Sequence, residues 1–184
     1  MVFLLSAGPK KVLSLIHIFK GVPNLVRLEA RNANLEGSGA VTIRDLIKSA
    51  LRMRPDRILV GEVRGEQTVD MISSAMLNGH SGSMSTGHAN NCVDMLHRLE
   101  TMMMMGIDMP FTAIQRQVAS ALDIIIHLGR LRDRSRKVLE IAEVLGYEDG
   151  EVKICLLYTS LSSQKLKIIV RTIQKIDRKC VGVL

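Results

Sequence analysis

The run RILV at positions 57 to 60 sets the first limit on the fold. A strand that faces water on one side alternates apolar and polar residues. A short unbroken apolar run therefore asks for cover on both faces, as a parallel sheet provides. Pro55 and Gly61 bound the run. Downstream, Val69, Ile72, Ala75 and Met76 recur at helical spacing, so residues 66–78 read as a helix with Gly79 as its stop.

The rest of the chain continues the alternation. Residues 23–32 alternate through Leu25, Val26 and Leu28 and read as a strand running into a turn. Ile43, Leu46, Ile47, Ala50 and Leu51 predict an amphipathic helix over 43–53, with Thr42 and Asp45 spaced as a near capping box and Pro55 ending it. Residues 81–89 read as a loop and a small-residue strand. Helices are expected over 91–105 and 110–122, the second with Pro110 in its first turn. Strands follow over 123–131 and 137–147, with EVKI (151–154) joining them. The pattern predicts an α/β domain whose largely parallel sheet is covered by helices on both faces. Ligands of such sheets sit at the carboxyl ends of the strands. Glu62 and the segment around His88 both fall at such ends.

Composition narrows the function. The chain of 184 residues fits one domain with a real core. With no Trp and 3% aromatic residues it lacks stacking platforms for single-stranded nucleic acid. The net charge of +7 is concentrated at the ends: Lys10 and Lys11 on one side, and Lys165, Lys167, Arg171, Lys175, Arg178 and Lys179 against Asp177 on the other. Residues 20–154 are neutral, so no specific nucleic-acid partner is expected. Three cysteines without a CxxC pair point to a reducing cytoplasm. The apolar run VLSLIHIF is far shorter than the roughly 20 residues of a membrane span.

Two segments are related at the level of DNA. LSLIHI (13–18) and CLLYTS (155–160) are two reading frames of one string, CTGTCTCTTATACACATCT, which resembles a transposase-end adapter of sequencing libraries. The expectation is that 1–19 and 155–184 are non-native junction segments and 20–154 the natural part. His17 and Cys155 are therefore set aside as site candidates.

Several residues in 20–154 carry possible chemistry. A carboxylate such as Glu62 at the tip of a buried strand can serve Mg²⁺ through water or orient an attacking water for phosphoryl transfer. It can equally be a structural ion pair with Arg64 or Arg57. His80 and His88 bracket the small-residue run HSGSMSTGH, where imidazoles and hydroxyls can meet phosphate oxygens. A metal set of His88, Cys92 and His97 matches no established ligand motif. A serine-hydrolase elbow fails because Ser83 stands where GxSxG needs its second glycine. No GxxxxGK[ST] phosphate loop occurs. Arg52, Arg54 and Arg57 can reach a neighbour's phosphates or simply end a helix in solvent. Met102–Met105 reads as core filler before it reads as a partner groove, and RLRDRSRK (130–137) as a solvated hairpin.

The motifs taken together resemble a known family. VRLEARN, EG, TIRDLIKSALRMRPDRILVGEVRGEQ, NGHSGSMSTGHAN, RLETM and QVASALDIIIHLGRLRDRSRKVLEIAEV occur in an order similar to the C-terminal half of secretion traffic ATPases. They are most similar to the CpaF-type motors of tight-adherence (Flp) pilus assembly, within the type II and type IV secretion superfamily. The resemblance covers about 20 to 154. It implies a RecA-like P-loop core, a homo-hexameric ring, and hydrolysis of ATP with Mg²⁺ to power pilus assembly or secretion. It also implies inner-membrane platform proteins as partners and a cytoplasmic site peripheral to that membrane. The family's Walker B motif falls on RILVGE, with Glu62 as the catalytic and Mg²⁺-serving acid. Its His box falls on GHSGSMSTGHAN, placing His80 and His88 near the nucleotide, and Arg52, Arg54 and Arg64 match recurrent arginines. The Walker A loop is absent, and LSLIHI stands where the Asp box would be expected. This implies a fragment that is inactive alone. The alternative is a non-catalytic ring-contact or regulatory module.

Overall fold

A computed structural model describes residues 2–6, 24–77, 79, 80, 82–159 and 180–183. The run RILV forms β3 (Arg57–Val60), and Ile58, Leu59 and Val60 are all buried, as an interior parallel strand requires. Each such side chain contributes about 1.5–3 kcal/mol by leaving water. The strands β1 (Val2–Ser6), β2 (Val26–Leu28), β4 (Met84–Gly87), β5 (Ile124–Arg130), β6 (Arg136–Glu148), β7 (Glu151–Thr159) and β8 (Cys180–Val183) complete one sheet. Among the described residues its order is β2-β8-β3-β4-β1-β5-β6-β7. The first six are mutually parallel, and β6 and β7 add an antiparallel hairpin at one edge.

Several differences from the sequence expectation have local causes. No element was expected at β1 or β8, yet β1 lies at the middle of the sheet, paired with β4 and β5. The strand expected over 23–32 is only three residues long, since the chain leaves the sheet after Leu28 and closes a loop through the Arg31–Val41 bridge. EVKI belongs to β7, which runs on to Thr159, and the connection from β6 is a tight turn at Asp149 (φ 52°) and Gly150 (φ 84°). Two successive positive φ angles give the strand twist a two-residue hairpin needs, and Asp-Gly tolerates them.

The helices follow their patterns more closely. Helix α1 (Ile43–Leu51) opens on a capping box in which the Asp45 N–H donates to Thr42 Oγ1 and the Thr42 N–H donates to Asp45 Oδ2. Helix α2 (Gln67–Val69) widens at once into a π-helical segment, Asp70–Met76. Gly79 (φ 86°) follows it. Arg44 of α1 meets Asp70 Oδ2 at 2.6 Å and Glu66 Oε2 at 3.4 Å, tying the two helices together. Helix α3 (Cys92–Gly106) is capped by Asn91, whose Oδ1 accepts from the Asp94 N–H at 2.7 Å. Helix α4 (Phe111–Ala121) begins after Pro110.

All four helices contribute to one apolar cluster, which takes in Ile58, Val60, Ile125 and Ala142 from the sheet. Ile126, Ile141 and Tyr158 form a second, smaller cluster. Met102 and Met103 are buried filler, whereas Met104 and Met105 face outward, because four consecutive residues cover more than one side of a helix.

Candidate functional site

Glu62 leaves the sheet just after β3, and one residue on β4 fixes how it does so. Thr86 Oγ1 donates to the Gly61 carbonyl at 2.6 Å, and the Thr86 carbonyl accepts from the Val63 N–H at 3.0 Å. The two bonds bracket Glu62, so its backbone is held while its side chain stays about one fifth exposed. His88, two residues beyond Thr86, reaches back and places Nε2 2.9 Å from Glu62 Oε1. Arg64 places Nη2 2.5 Å from Glu62 Oε2. The Glu62 hydrogen bond, and then its charge, hold the Arg64 guanidinium above its ordinary pKa.

Of the six candidates, the structure brings three together. Glu62, Arg64 and His88 form one cluster at the carboxyl end of the parallel strands. His80 lies at the other end of β4, where its Nδ1 is 2.8 Å from the Pro55 carbonyl, just before β3. The intervening strand spans roughly 13 Å at about 3.3 Å per residue. Arg52 is the C-cap of α1, and Arg54 follows with a positive φ of 50°; both are exposed on the approach to β3, on the His80 side of the sheet. The two histidines that the resemblance sets near the nucleotide therefore lie at opposite ends of β4. The physical cause is the four-residue strand lying between the two histidines.

The small residues of HSGSMSTGH also divide. Buried Ser83 accepts from the Ile58 N–H at 3.0 Å and donates to the His80 carbonyl at 2.7 Å, so it anchors the start of β3. Thr86 plays the corresponding part at the end of β3. Its role was not read from the sequence, although a hydroxyl residue two places before a histidine on a strand was a usable signal.

The histidine–cysteine metal set is not assembled. Cys92 is buried, with its Sγ directed to the Ile125 carbonyl at 3.8 Å, and burial, followed by the hydrogen bond and charge of Glu140, pushes its thiol up to about 12. Such a thiol does not supply the thiolate a metal needs. Among the described residues no group of three or more His, Cys, Asp or Glu side chains is placed to hold a metal ion. Glu140 also caps a helix, because its Oε2 accepts from the Cys92 N–H at 3.0 Å and sets a carboxylate at the N-terminus of α3.

Chemically, the cluster offers one carboxylate as a hard oxygen donor, with a guanidinium and an imidazole beside it. That donor set fits a magnesium–phosphate group in part. The glycine-rich loop and lysine that cradle phosphates in such sites do not occur in this sequence. A cleft of about 510 Å³ adjoins the cluster, lined by Arg64, His88 and the outer face of α3. No described helix is long and apolar enough to cross a membrane.

Comparison with known proteins bears on this arrangement. The model of the family described as "Type II/IV secretion system protein" matches residues 24–173. The chain is 45% identical over 131 residues to the "Putative conjugal transfer protein" of Mycobacterium tuberculosis, a match covering 71% of this chain and 36% of that one. It is 36% identical over 110 residues to the type IV secretion system protein VirB11 of Brucella abortus, covering 58% and 30%. The chain thus spans about a third of the length of these relatives. In fold it is similar to the Brucella suis VirB11 ATPase solved with sulphate, with a TM-score of 0.59 and 24% identity over 81% of this chain and 50% of that one. It is also similar to the pilus retraction motor PilT with bound ADP, with a TM-score of 0.51 and 18% identity over 95% and 52%.

Proposed function

The chain belongs to the type II/IV secretion system protein family, and from that premise we propose that it is part of an ATP-hydrolysing motor that powers pilus assembly or secretion. The observation that carries the reading is Glu62 at the carboxyl end of an interior parallel strand, with His88 and Arg64 on its two oxygens. Bound ATP with Mg²⁺ would bring a phosphoanhydride bond whose cleavage releases phosphate. Glu62 is the residue that would hold Mg²⁺ through water and take the proton of the attacking water. His88 stands beside Oε1 of the carboxylate, and Arg64 offsets negative charge at Oε2. Membership of the family is what supports the rest of the reading: a homo-hexamer acting at the cytoplasmic face of the inner membrane with platform proteins, with a pilus system of the CpaF type as the specific parent proposed.

Catalysis in this reading needs a phosphate-cradling loop from outside the described cluster, so the 184-residue chain alone should hydrolyse ATP negligibly. In a longer parent that carries such a loop, Glu62→Gln should lower ATP turnover by about 100-fold or more, by loss of the base, while leaving nucleotide affinity within about threefold. Turnover within about tenfold of wild type would refute the assignment. A non-catalytic ring-contact module is the second reading. It is favoured by one observation, that Arg64 already holds Glu62 Oε2 while His88 Nε2 stands 2.9 Å from Oε1. Undiminished assembly by the Glu62→Gln parent would support it.

A further inference from the structure

The cleft beside Glu62 holds a cation, Arg98, that the reading above leaves unused. One wall is the outer face of α3, where Asp94, His97, Arg98, Thr101 and Met105 follow at helical spacing. Arg64 and His88 approach from the end of the sheet. Met102 and Met105 supply the apolar part of the lining. The lone acid facing the cleft, Asp94, is already engaged, since its Oδ2 accepts from Asn90 Nδ2 at 3.1 Å. Arg98 is exposed and has no acidic partner among the described residues. Arg98 thus faces, without an acidic partner, a space of about 510 Å³ that His97 and His88 also line, while Arg64, the second guanidinium there, is held on Glu62.

An oxyanion is the ligand that suits such an unpartnered guanidinium, because planar guanidinium N–H groups match its oxygens and the bonds are charge-assisted. We infer that this cleft is a subsite for a phosphate group, held by Arg98 and His97, and that its occupation draws Arg64 off Glu62. Arg64 belongs to both places: it pairs with Glu62 Oε2 and also lines the cleft. Its side chain is 72% exposed, so little packing opposes a swing. A phosphate dianion carries about twice the charge of the carboxylate it competes with. Once Arg64 moves, Glu62 keeps His88 on Oε1 and has Oε2 open. Occupation of the cleft and pairing of Glu62 are therefore linked, and each must affect the other.

The inference rests on the motor reading only for the source of the ion, a phosphate released beside Glu62. It can be tested without hydrolysis. The 184-residue chain with ¹⁵N-labelled arginine is titrated with inorganic phosphate at constant ionic strength, with chloride as control and adenosine monophosphate as a phosphate ester. The Arg64 and Arg98 side-chain Nε–H resonances should move together and saturate with phosphate, and not with chloride. Binding should weaken about fivefold or more in Arg98→Ala and be largely restored in Arg98→Lys. Binding of the monophosphate ester as tight as that of the free ion would still place a phosphate group in the cleft and would identify the ester as its source. Equal responses to chloride and phosphate, an Arg98→Ala variant that binds as wild type, or a static Arg64 resonance at saturation would each overturn it. These outcomes are independent of whether Glu62→Gln abolishes ATP turnover in a longer parent.

Discussion

Ser83 and Ser85 make a matched pair in which hydrogen bonding is separated from burial. Both are fully buried serines at or beside β4. Ser83 accepts from the Ile58 N–H at 3.0 Å and donates to the His80 carbonyl at 2.7 Å. Ser85 makes one long contact, 3.4 Å to the Thr86 carbonyl. In Ser83→Ala the buried Ile58 N–H loses its side-chain acceptor, at a cost of about 1–3 kcal/mol. The His80 carbonyl loses less, because it still accepts from the Ser83 N–H at 3.1 Å. The sum is about 2–3 kcal/mol, a fall in melting temperature of roughly 5–10 °C for a domain of this size. Ser85→Ala removes a marginal bond and should cost under about 0.5 kcal/mol. Chemical denaturation of both variants, read by far-UV circular dichroism, measures the difference. Equal losses in the two would show that burial of the hydroxyl, not its bonds to β3, governs this segment.

The other end of β3 offers a parallel test. Thr86→Val keeps the shape of the side chain but removes the 2.6 Å bond to the Gly61 carbonyl; it should cost about 1 kcal/mol and loosen the contact between Glu62 and His88. The His88 ring resonances should move in Thr86→Val and stay in place in Thr86→Ser. At high pH, Cys92 supplies the signal. Its thiol stays protonated in the folded chain up to about 12, while the unfolded thiol ionises near 9.0, so stability should fall by about 1.4 kcal/mol per pH unit across that window. Cys92→Ala should abolish that part of the slope, and iodoacetamide at about pH 9 should label exposed Cys155 while sparing Cys92.

What could be read from the sequence follows the range of the interactions involved. The capping box of Thr42 and Asp45, the buried run of β3 and the stop at Gly79 are set by residues within a few places of one another, and all appear as expected. β1 and β8 are short, mostly apolar runs whose place depends on partners far away in the chain, and nothing local marks that pairing. The π-helical widening at Asp70–Met76 is also hidden, since its buried residues keep the spacing of an ordinary amphipathic helix. At the site, Glu62 could be placed because it ends a buried strand. Its partners could not be chosen between Arg57 and Arg64 by spacing alone. Arg57 lies at the opposite end of the same four residues, so strand geometry decides for Arg64.

The separation of His80 from His88 has a cause in how such a site is built. Residues 80–88 look like one motif because two histidines close together in sequence suggest one chemical centre. A strand turns sequence proximity into separation, and β4 sets the histidines that flank it at opposite ends of the parallel strands. At the edge before β3, His80 and Ser83 satisfy the Pro55 carbonyl and the Ile58 N–H, groups that would otherwise lack partners as the chain enters the sheet. At the far edge, Thr86 and His88 fix the exit of the same strand and its carboxylate. One nine-residue stretch therefore sets both ends of β3, and the position of Glu62 depends on both anchors. A substitution at His80 or Ser83 should thus weaken the chemistry proposed for Glu62 without touching it, by letting β3 shift along β4. That is why loss of activity in such a variant would not by itself place His80 beside the reacting atoms, whereas a stability loss of equal size in Ser83→Ala and His80→Ala would assign both to the anchor.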